Sequence, residues 1–347
     1  MANFVALRVA AALVIIYGND WMLSDLPGPG FWGVPMAYIG YDLLFCVSGY
    51  LLTASWDRDP VLARFLANRL GRVLPALFVS VLATAFVLGP LVTTLRLRQY
   101  LSSHATYRYL ENAALYRHLW LPGAFAGQPS AGEVNPVLWS LLAGALCCGF
   151  LPILASLRWK LRVAALGIAA VGCGTASLYL QHGADGAPAM FLQVSVPDLL
   201  GVAPFFALGA LLRTIERRWP EIYRADLAML CFAANWIVAS WYGWWNVPVT
   251  WITLPYMAIC FGRLSMPPSR WLAGRADLSF GLFLYAFPMQ QTMRALLPSG
   301  SPYIVPAALA LTFAVAFLSL RIVEQPAMAW KHWLAVWLRA ETRKAVP

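Results

Sequence analysis

Ten apolar stretches of about 20 residues constrain the fold of this chain more than any other feature, because that length of α-helix crosses a bilayer. They cover approximately residues 4–22, 33–53, 73–93, 136–156, 163–181, 197–215, 226–244, 247–263, 277–296 and 303–323. Hydrophobic residues make up 61% of the 347 residues and charged residues only 12%, too few charges to cover a water-soluble surface. The sequence therefore predicts an all-α polytopic membrane protein with about ten transmembrane helices.

The basic residues indicate how these helices are oriented. With both termini in the cytoplasm, 19 of the 25 lysine and arginine residues lie inside, five lie outside, and Arg8 lies within the first span. This is the bias that multi-pass membrane proteins show. Topology therefore explains the net charge of +10, and we expect no nucleic-acid partner. No basic leader precedes the first span, which we expect to be a retained helix rather than a cleaved signal peptide.

The chain is predicted to form one membrane domain, residues 1–327, and a tail, residues 328–347. The tail is basic, contains three tryptophans and is typical of an amphipathic helix on the inner membrane surface. A long outer loop, residues 94–135, mixes tyrosines with charges, as at a membrane interface, and is expected to re-enter the bilayer or cover a cavity. The six cysteines lie in apolar stretches without metal-ligand spacing and are expected to be buried small side chains.

Arg8 and Asn19 interrupt the first span with polar side chains. Eleven residues make about three helical turns, so the two side chains share one face and lie roughly 16 Å apart along the axis. Polar groups are costly to place in a membrane and usually mark a functional site. Asp20 follows directly, but its position points about 100° away from that of Asn19.

The second span contains Asp42, followed by Ser48, Gly49 and Tyr50. An aspartate in a membrane helix needs a partner or water. Two interpretations are equally supported: Asp42 pairs with an internal arginine and holds helices together, or it contacts a substrate. Ser48 and Gly49 can allow close helix packing, whereas Ser48 and Tyr50 can also line a pocket.

Arg69 and Arg72 follow on the inner side, three residues apart and hence on one helical face. Each guanidinium can donate two parallel hydrogen bonds to a phosphate. The spacing alone favours the simpler interpretation, a pair of charges that sets the topology.

The fourth span begins with Asn135-Pro136-Val137-Leu138-Trp139-Ser140. Together with the segments above, it resembles the acyltransferase-3 family. The family has arginine, ten residues, then histidine in its first helix, a Gly-Val-Asp segment ending in Ser-Gly-Phe/Tyr in its second, an Arg-x-x-Arg element and an Asn-Gly-x-Leu-Trp-Ser/Thr-Leu segment. Further matches, in the same order along the chain, are residues 204–209, residues 277–285 with Pro288, and residues 323–327.

This resemblance implies acyl transfer, usually of acetyl, from cytoplasmic acyl-CoA to a sugar hydroxyl of an extracytoplasmic polysaccharide or lipid-linked glycan. It places the chain in the bacterial inner membrane, with the bilayer, the acyl-CoA donor and the sugar acceptor as its partners, and without a metal or a covalently bound cofactor. The Arg-x-x-Arg element implies that Arg69 and Arg72 hold the donor. Besides the positions of Asn19 and Gly144, the implied catalytic residues are Arg8, Asp42 and Ser48. The implied pocket residues are Asp20, Tyr50, Asn135, Trp139 and Ser140.

Two positions depart from the family pattern. Asn19 stands where the family has its histidine base, and Gly144 stands where it has a glutamate five residues after the tryptophan. An amide can orient a hydroxyl but cannot accept its proton, and general-base catalysis is worth about 10²–10⁴-fold. We therefore expect little or no transferase activity from this chain alone.

Three explanations for these departures are open. The chain is a natural pseudoenzyme, with an active homologue as a possible partner; or Asp20, His104 or His118 supplies a substitute base; or Asn19 is an introduced substitution, which would leave Gly144 unexplained. A secondary transporter is disfavoured because the chain has no inverted repeat. His182 and His332 are assigned no role.

Overall fold

A computed structural model of the chain describes residues 2–24, 26, 28–128, 132–183, 187–241, 246–264, 277–298 and 300–329. The predicted tail lies almost entirely outside the described residues, which end at Ala329, the last residue of the helical segment Ile304–Ala329. The described part is helical throughout, apart from loops and two short β-hairpins. This confirms the all-α fold class expected from the apolar stretches.

The α-helices are α1 (Ala2–Leu23), α2 (Met36–Arg58), α3 (Leu62–Ala83), α4 (Gly89–Val92), α5 (Leu97–Ser102), α6 (His104–Arg108), α7 (Trp139–Ala155), α8 (Trp159–His182), α9 (Val196–Gly201), α10 (Ala203–Glu216), α11 (Ala225–Trp241), α12 (Asn246–Arg263), α13 (Ser279–Leu296) and α14 (Ile304–Ser319). A π-helical turn at Thr84–Leu88 joins α3 to α4, and another at Leu320–Glu324 continues α14. Short 3-10 helices cover Tyr109–Ala114, Pro136–Leu138 and Pro220–Ile222.

Helices lie at all ten predicted spans. Among the described residues, seven helical segments are long and apolar enough to cross a membrane: Asn3–Leu23, Met36–Arg58, Leu62–Val92, Pro136–Ala155, Trp159–His182, Val196–Glu216 and Ile304–Ala329. The other three predicted spans coincide with α11, α12 and α13, which have 17, 18 and 18 residues. These findings confirm a polytopic membrane protein.

The helices form a bundle in which α1 packs against α2 and α13, α2 packs against α10, and α10 packs against α8. Following the predicted topology, we call the end at which α1 begins the inner end and the opposite end the outer end. Helices α1 and α13 run side by side in the same direction, because Arg8 contacts Asp277 at the inner end and Asp20 contacts Arg294 at the outer end. The bundle therefore brings the polar residues of α1 against α13, which is distant in sequence.

Two hairpins of the same shape close the outer end. Gly30–Phe31 pairs with Val34–Pro35 before α2, and Met190–Phe191 pairs with Val194–Ser195 before α9. Both central residues of each turn have positive φ, the twist that suits a two-residue hairpin. The long outer loop packs on the second hairpin through the Arg117 amide, which donates to the carbonyl of Leu192.

Two of the four tyrosines of that outer loop are less exposed than an interfacial position predicts. Tyr100 and Tyr109 are fully buried, and the Tyr100 hydroxyl donates to the Ala85 carbonyl at 2.7 Å. Trp120, by contrast, is exposed. The loop is therefore anchored to the π-helical turn after α3 and shares a core cluster with α3 and α13.

Glycines allow α2 and α10 to approach closely, as one interpretation of Ser48-Gly49 predicts. A Cβ at Gly49 would overlap the backbone of Phe206, and a Cβ at Gly209 would overlap the carbonyl of Cys46. A side chain at either position requires the two helices to separate, which lowers packing density along their whole contact.

We expect Gly49→Ala to destabilise the folded protein by about 1–3 kcal/mol, the usual effect of overpacking a filled interface. Thermal unfolding of the purified protein in detergent measures this. Gly144→Ala is the matched control, because a Cβ at Gly144 meets no atom within 4 Å. Equal melting temperatures for the two variants would contradict the close approach of α2 and α10.

Candidate functional site

Arg8, Arg72 and Asp277 form an ion-paired cluster at the inner end. The Asp277 Oδ2 atom lies 2.6 Å from Arg8 Nη2 and 2.7 Å from Arg72 Nη2. Its Oδ1 atom accepts hydrogen bonds from the Ser279 amide at 3.1 Å and the Ser279 hydroxyl at 2.6 Å. One carboxylate thus binds Ser279, the first residue of α13, and joins α13 to α1 and α3.

Arg69 and Glu324 lie at the edges of this cluster. Arg69 lies beside the Cys148 thiol on α7 and makes no ion pair with a carboxylate in the described part of the chain. Glu324 is close enough to Arg72 and Asp277 to interact with both electrostatically. Three guanidinium groups and two carboxylates leave an excess of positive charge, which favours a phosphate-bearing ligand. The two arginines predicted to hold the donor are therefore brought together with Arg8.

Asn19 is buried near the outer end of α1. Only 5% of the residue is exposed, and its Nδ2 atom has no hydrogen-bond partner within the described ranges. An unpaired buried amide group costs about 1–3 kcal/mol, so this N–H group is available to a ligand. It can donate to a hydroxyl or a carbonyl oxygen but cannot remove a proton.

Asp20 is not free to replace the missing base. Its Oδ1 atom lies 2.7 Å from Arg294 Nη2 on α13. The same nitrogen donates to the Asp20 carbonyl at 3.0 Å and to the Ser24 hydroxyl at 2.7 Å. The ion pair holds Asp20 against α13 and engages its charge, which disfavours a role as general base.

The loop histidines are placed differently from each other. His104 is exposed at the start of α6. The His118 Nε2 atom lies 2.8 Å from Glu111 Oε2, and this hydrogen bond holds the pKa of the Glu111 carboxyl below its usual value. The dyad belongs to the outer loop, and its contacts within the described residues connect it to that loop rather than to Asn19.

Asp42 lies in a separate place, on the wall of a cavity of about 600 Å³ at the outer end. The cavity is bounded by the two hairpins, α2, α8, α9 and α12, and its wall also includes Tyr38, Gln181, Asp198 and Trp251. No ion pair in the described part of the chain involves Asp42; the internal arginine that was one expected partner, Arg8, pairs with Asp277 instead. The position of Asp42 on a cavity wall favours the second interpretation, contact with a ligand.

Residues at the start of the fourth span position that helix. The Asn135 Nδ2 atom donates to the Leu284 carbonyl of α13 at 3.0 Å, and Ser140 donates to the Val137 carbonyl at 3.0 Å. The ring of Trp139 packs on Tyr41 with a centroid separation of 5.1 Å. At Gly144 there is open space where the family has a glutamate.

Tyr50 and Ser48 do not join Asn19. The Tyr50 hydroxyl donates to Glu216 at 2.5 Å, and Glu216 also pairs with Arg263 and Arg213. This buried network lies at the inner end, between α2, α10 and α12. Ser48 is partly buried, and nothing in its surroundings assigns it a role.

The structure therefore divides the predicted site residues into an inner arginine cluster, the buried Asn19 and the outer cavity with Asp42. Sequence reasoning missed Asp277 and Glu324 as members of the inner cluster. Both lie in segments that match the family pattern. An arginine within a membrane span needs an acidic partner, and this requirement was the signal that could have identified them. It also missed Gln290, whose Nε2 atom donates to the Ile16 carbonyl at 2.8 Å and holds α13 against α1 beside Asn19.

Comparison with known proteins agrees with this architecture. The family model of the acyltransferase domain (acyltransferase-3) matches residues 2–321. Nodulation protein 10 of Rhizobium leguminosarum bv. viciae is 27% identical over 349 residues, with 94% of this chain and 93% of the relative covered. An O-acetyl transferase of Shigella phage Sf6 is 26% identical over 317 residues, with 90% of each chain covered. No solved structure matches the chain. This protein therefore belongs to the acyltransferase-3 family of membrane proteins.

Proposed function

We propose that this protein binds acyl-CoA at its inner end, holds a sugar acceptor at its outer end, and by itself transfers the acyl group slowly or not at all. The donor is cytoplasmic, the acceptor is an extracytoplasmic polysaccharide or lipid-linked glycan, and the membrane is the bacterial inner membrane with both termini in the cytoplasm. The observation that carries the proposal is the buried Asn19 amide at the position of the family's base, with Asp20 engaged by Arg294.

The proposed donor site uses the excess positive charge of the inner cluster. Arg69 makes no ion pair within the described residues, so its guanidinium group can hydrogen-bond a phosphate of the donor. Arg72 is fixed by Asp277 and contributes charge from a defined position. Arg8 lies on the same face of α1 as Asn19, roughly 16 Å nearer the inner end.

The transfer step explains why Asn19 matters. The sugar oxygen bonds to the thioester carbonyl carbon, the carbon–sulfur bond breaks, coenzyme A leaves as its thiolate, and the hydroxyl proton passes to a base. A histidine suits this role because its unperturbed pKa is about 6.5. The Asn19 amide can align the hydroxyl, but the proton then has only solvent or the leaving thiolate to accept it.

The name of one relative supports acetyl as the transferred group. The phage relative is named an O-acetyl transferase, and its similarity extends over 90% of this chain. Since the match includes both ends of the bundle, donor and acceptor sites of the same kind are proposed here.

A second candidate is a non-catalytic partner of an active homologue. It is favoured by the combination of an inner arginine cluster with Asn19 and Gly144, which retains ligand-binding groups without a catalytic base. Purification of the tagged protein from its native membranes would support this candidate if a second acyltransferase-3 chain, one with the histidine, accompanied it.

The proposal is tested by assaying the unaltered chain in proteoliposomes. Radiolabelled acetyl-CoA is supplied at the inner side, and native membrane glycans are supplied as acceptors. We expect bound donor but little label in the glycan. Robust acetylation of glycan by the unaltered chain would refute the proposed loss of activity.

Donor binding is tested separately with Arg69→Gln. We expect the Kd for coenzyme A, measured by titration calorimetry, to rise about 10–100-fold, because a hydrogen bond to a charged group contributes about 1.5–3 kcal/mol. Arg64→Gln is the matched control, since Arg64 lies on the same helix but pairs with Asp59 at an exposed position. Equal affinities for the two variants would remove Arg69 from the donor site.

A further inference from the structure

A second cavity, of about 740 Å³, opens at the inner end and is separate from the arginine cluster described above. We call it the Arg162 cavity. It lies between the ends of α2, α7 and α10 and the beginning of α8, and its wall includes Asp57, Trp159, Arg162, Arg217 and Arg218. None of the residues that we assign to the donor or to the transfer step lines it.

Arg162 is a buried cation with unused hydrogen-bond donors. Its side chain is 6% exposed, and its Nη1 atom donates to Asp57 Oδ1 at 2.8 Å and to the Ala155 carbonyl at 3.2 Å. The Nε and Nη2 atoms have no partner among the residues that the structure describes. Leaving charged donors unpaired in a buried place is unfavourable, so the cavity requires an acceptor.

The charge on the wall defines the kind of acceptor. Arg162 and Arg217 share one carboxylate oxygen, Asp57 Oδ1, at 2.8 and 3.3 Å. Arg218 adds a third guanidinium group, and Asp57 is the one acidic residue of the described wall. Three positive groups against one negative group leave an excess of two charges, which a phosphate group can balance.

The start of α8 adds to this field. The helix begins at Trp159 with Arg158 as its N-cap, and Arg158 makes no side-chain hydrogen bond to the first turn. No side-chain cap therefore competes with an anion for the amide groups of that turn and the positive end of the helix dipole. Basic residues in the first turn, such as Lys160 and Arg162, are unfavourable for an isolated helix and become favourable once an anion is bound.

Aromatic side chains place the mouth of the cavity at a membrane interface. The Arg218 guanidinium lies over the rings of Trp159 at 5.2 Å and Trp219 at 5.8 Å. The Trp159 Nε1 atom donates to the Thr214 carbonyl at 3.3 Å, which fixes the ring. Tryptophan is enriched where lipid headgroups meet water, and basic pockets between transmembrane helices at the cytoplasmic side are suited to anionic headgroups.

We propose that the Arg162 cavity is a binding site for a phosphate group presented at the inner membrane surface. Arg162 donates to the phosphate from the wall, Arg217 and Arg218 donate from the mouth, and Asp57 keeps Arg162 and Arg217 oriented. Two sources carry this chemistry: the headgroup of an anionic phospholipid and the phosphates of a soluble nucleotide such as coenzyme A.

The test uses the full chain in nanodiscs and the double variant Arg217→Gln/Arg218→Gln. These side chains are exposed, so the variant is expected to fold, and Arg64→Gln is the control. In phosphatidylcholine discs with phosphatidylglycerol added, we expect native mass spectrometry to show about tenfold weaker retention of phosphatidylglycerol by the double variant, the effect of losing about 1.4 kcal/mol. In lipid-neutral discs, coenzyme A and inorganic phosphate are titrated separately.

The outcomes separate the two sources and the proposal itself. Loss of phosphatidylglycerol in the double variant alone identifies a lipid site. Loss of one of two bound coenzyme A equivalents, or of phosphate binding, in the double variant alone identifies a nucleotide site. Retention of every ligand by both variants would overturn the proposal. Because Arg217 and Arg218 lie outside the donor cluster and no acetyl transfer is measured, this failure would leave the proposed function untouched.

Discussion

Replacement of Asn19 by histidine together with Gly144 by glutamate is expected to raise acyl transfer about 10²–10⁴-fold over the unaltered chain, the usual contribution of a positioned general base. The histidine supplies a proton acceptor near neutral pH, and the glutamate restores the carboxylate that the family carries at that position. The structure has open space for a side chain at Gly144. Radiolabel passed from acetyl-CoA to native membrane glycans in proteoliposomes measures the gain.

Two controls separate a restored base from a change in packing. Asn19→Gln with Gly144→Glu retains an amide at the base position and is expected to stay at the level of the unaltered chain. Asn19→His with Gly144→Ala tests the histidine without the carboxylate. The alanine also shows how much of the change comes from replacing glycine in a helix, which improves helix propensity by about 0.8–1.0 kcal/mol. A transfer rate that rises equally in the glutamine variant would show that Asn19 is not at the position of the base.

The largest loss of stability is expected for Asp277→Asn, about 3–5 kcal/mol, because one partner of a buried ion pair is removed. Arg8 and Arg72 both pair with Asp277, so the substitution leaves two guanidinium groups without their carboxylate. The asparagine side chain keeps an oxygen that can accept the Ser279 hydrogen bonds, so the measured loss reports the charge. Thermal unfolding in detergent gives the difference in stability.

Asp59→Asn is the control for this prediction. Asp59 pairs with Arg64 at 2.8 Å, but the side chains are 44% and 53% exposed. Exposed pairs contribute about 0–1 kcal/mol, so this variant should melt close to the unaltered chain. If Asp277→Asn had the same melting temperature as Asp59→Asn, the inner cluster would have no structural role and its excess charge would have to be reassessed.

The helices could be predicted from the sequence, and parts of the site could as well. Apolar stretches of about 20 residues predict spanning helices because no water is present in the bilayer to hydrogen-bond an open backbone. The spacing of Arg69 and Arg72 correctly predicted that they share one face of α3, since helical geometry is local. The structure adds Asp277, whose carboxylate pairs with Arg72 and which no local pattern connects to α3.

Asp42 and Asp20 show where sequence reasoning stopped. The sequence could not choose between an arginine partner and a ligand for Asp42, and the structure places it on the wall of the outer cavity. Asp20 was open as a substitute base until α13 was seen to bring Arg294 against it. In both cases the answer depends on which helix lies beside which, and apolar stretches of similar composition do not specify their neighbours.

The sequence by itself determined where the apolar helices lie and which groups stand at the positions of the family's base and carboxylate, because these depend on hydropathy and residue type alone. Only the tertiary structure decided which charges neutralise each other and which stay available to a ligand. The reason is physical: an ion pair depends on distances of a few ångströms between side chains that are far apart along the chain, and only the packing of the helices sets those distances.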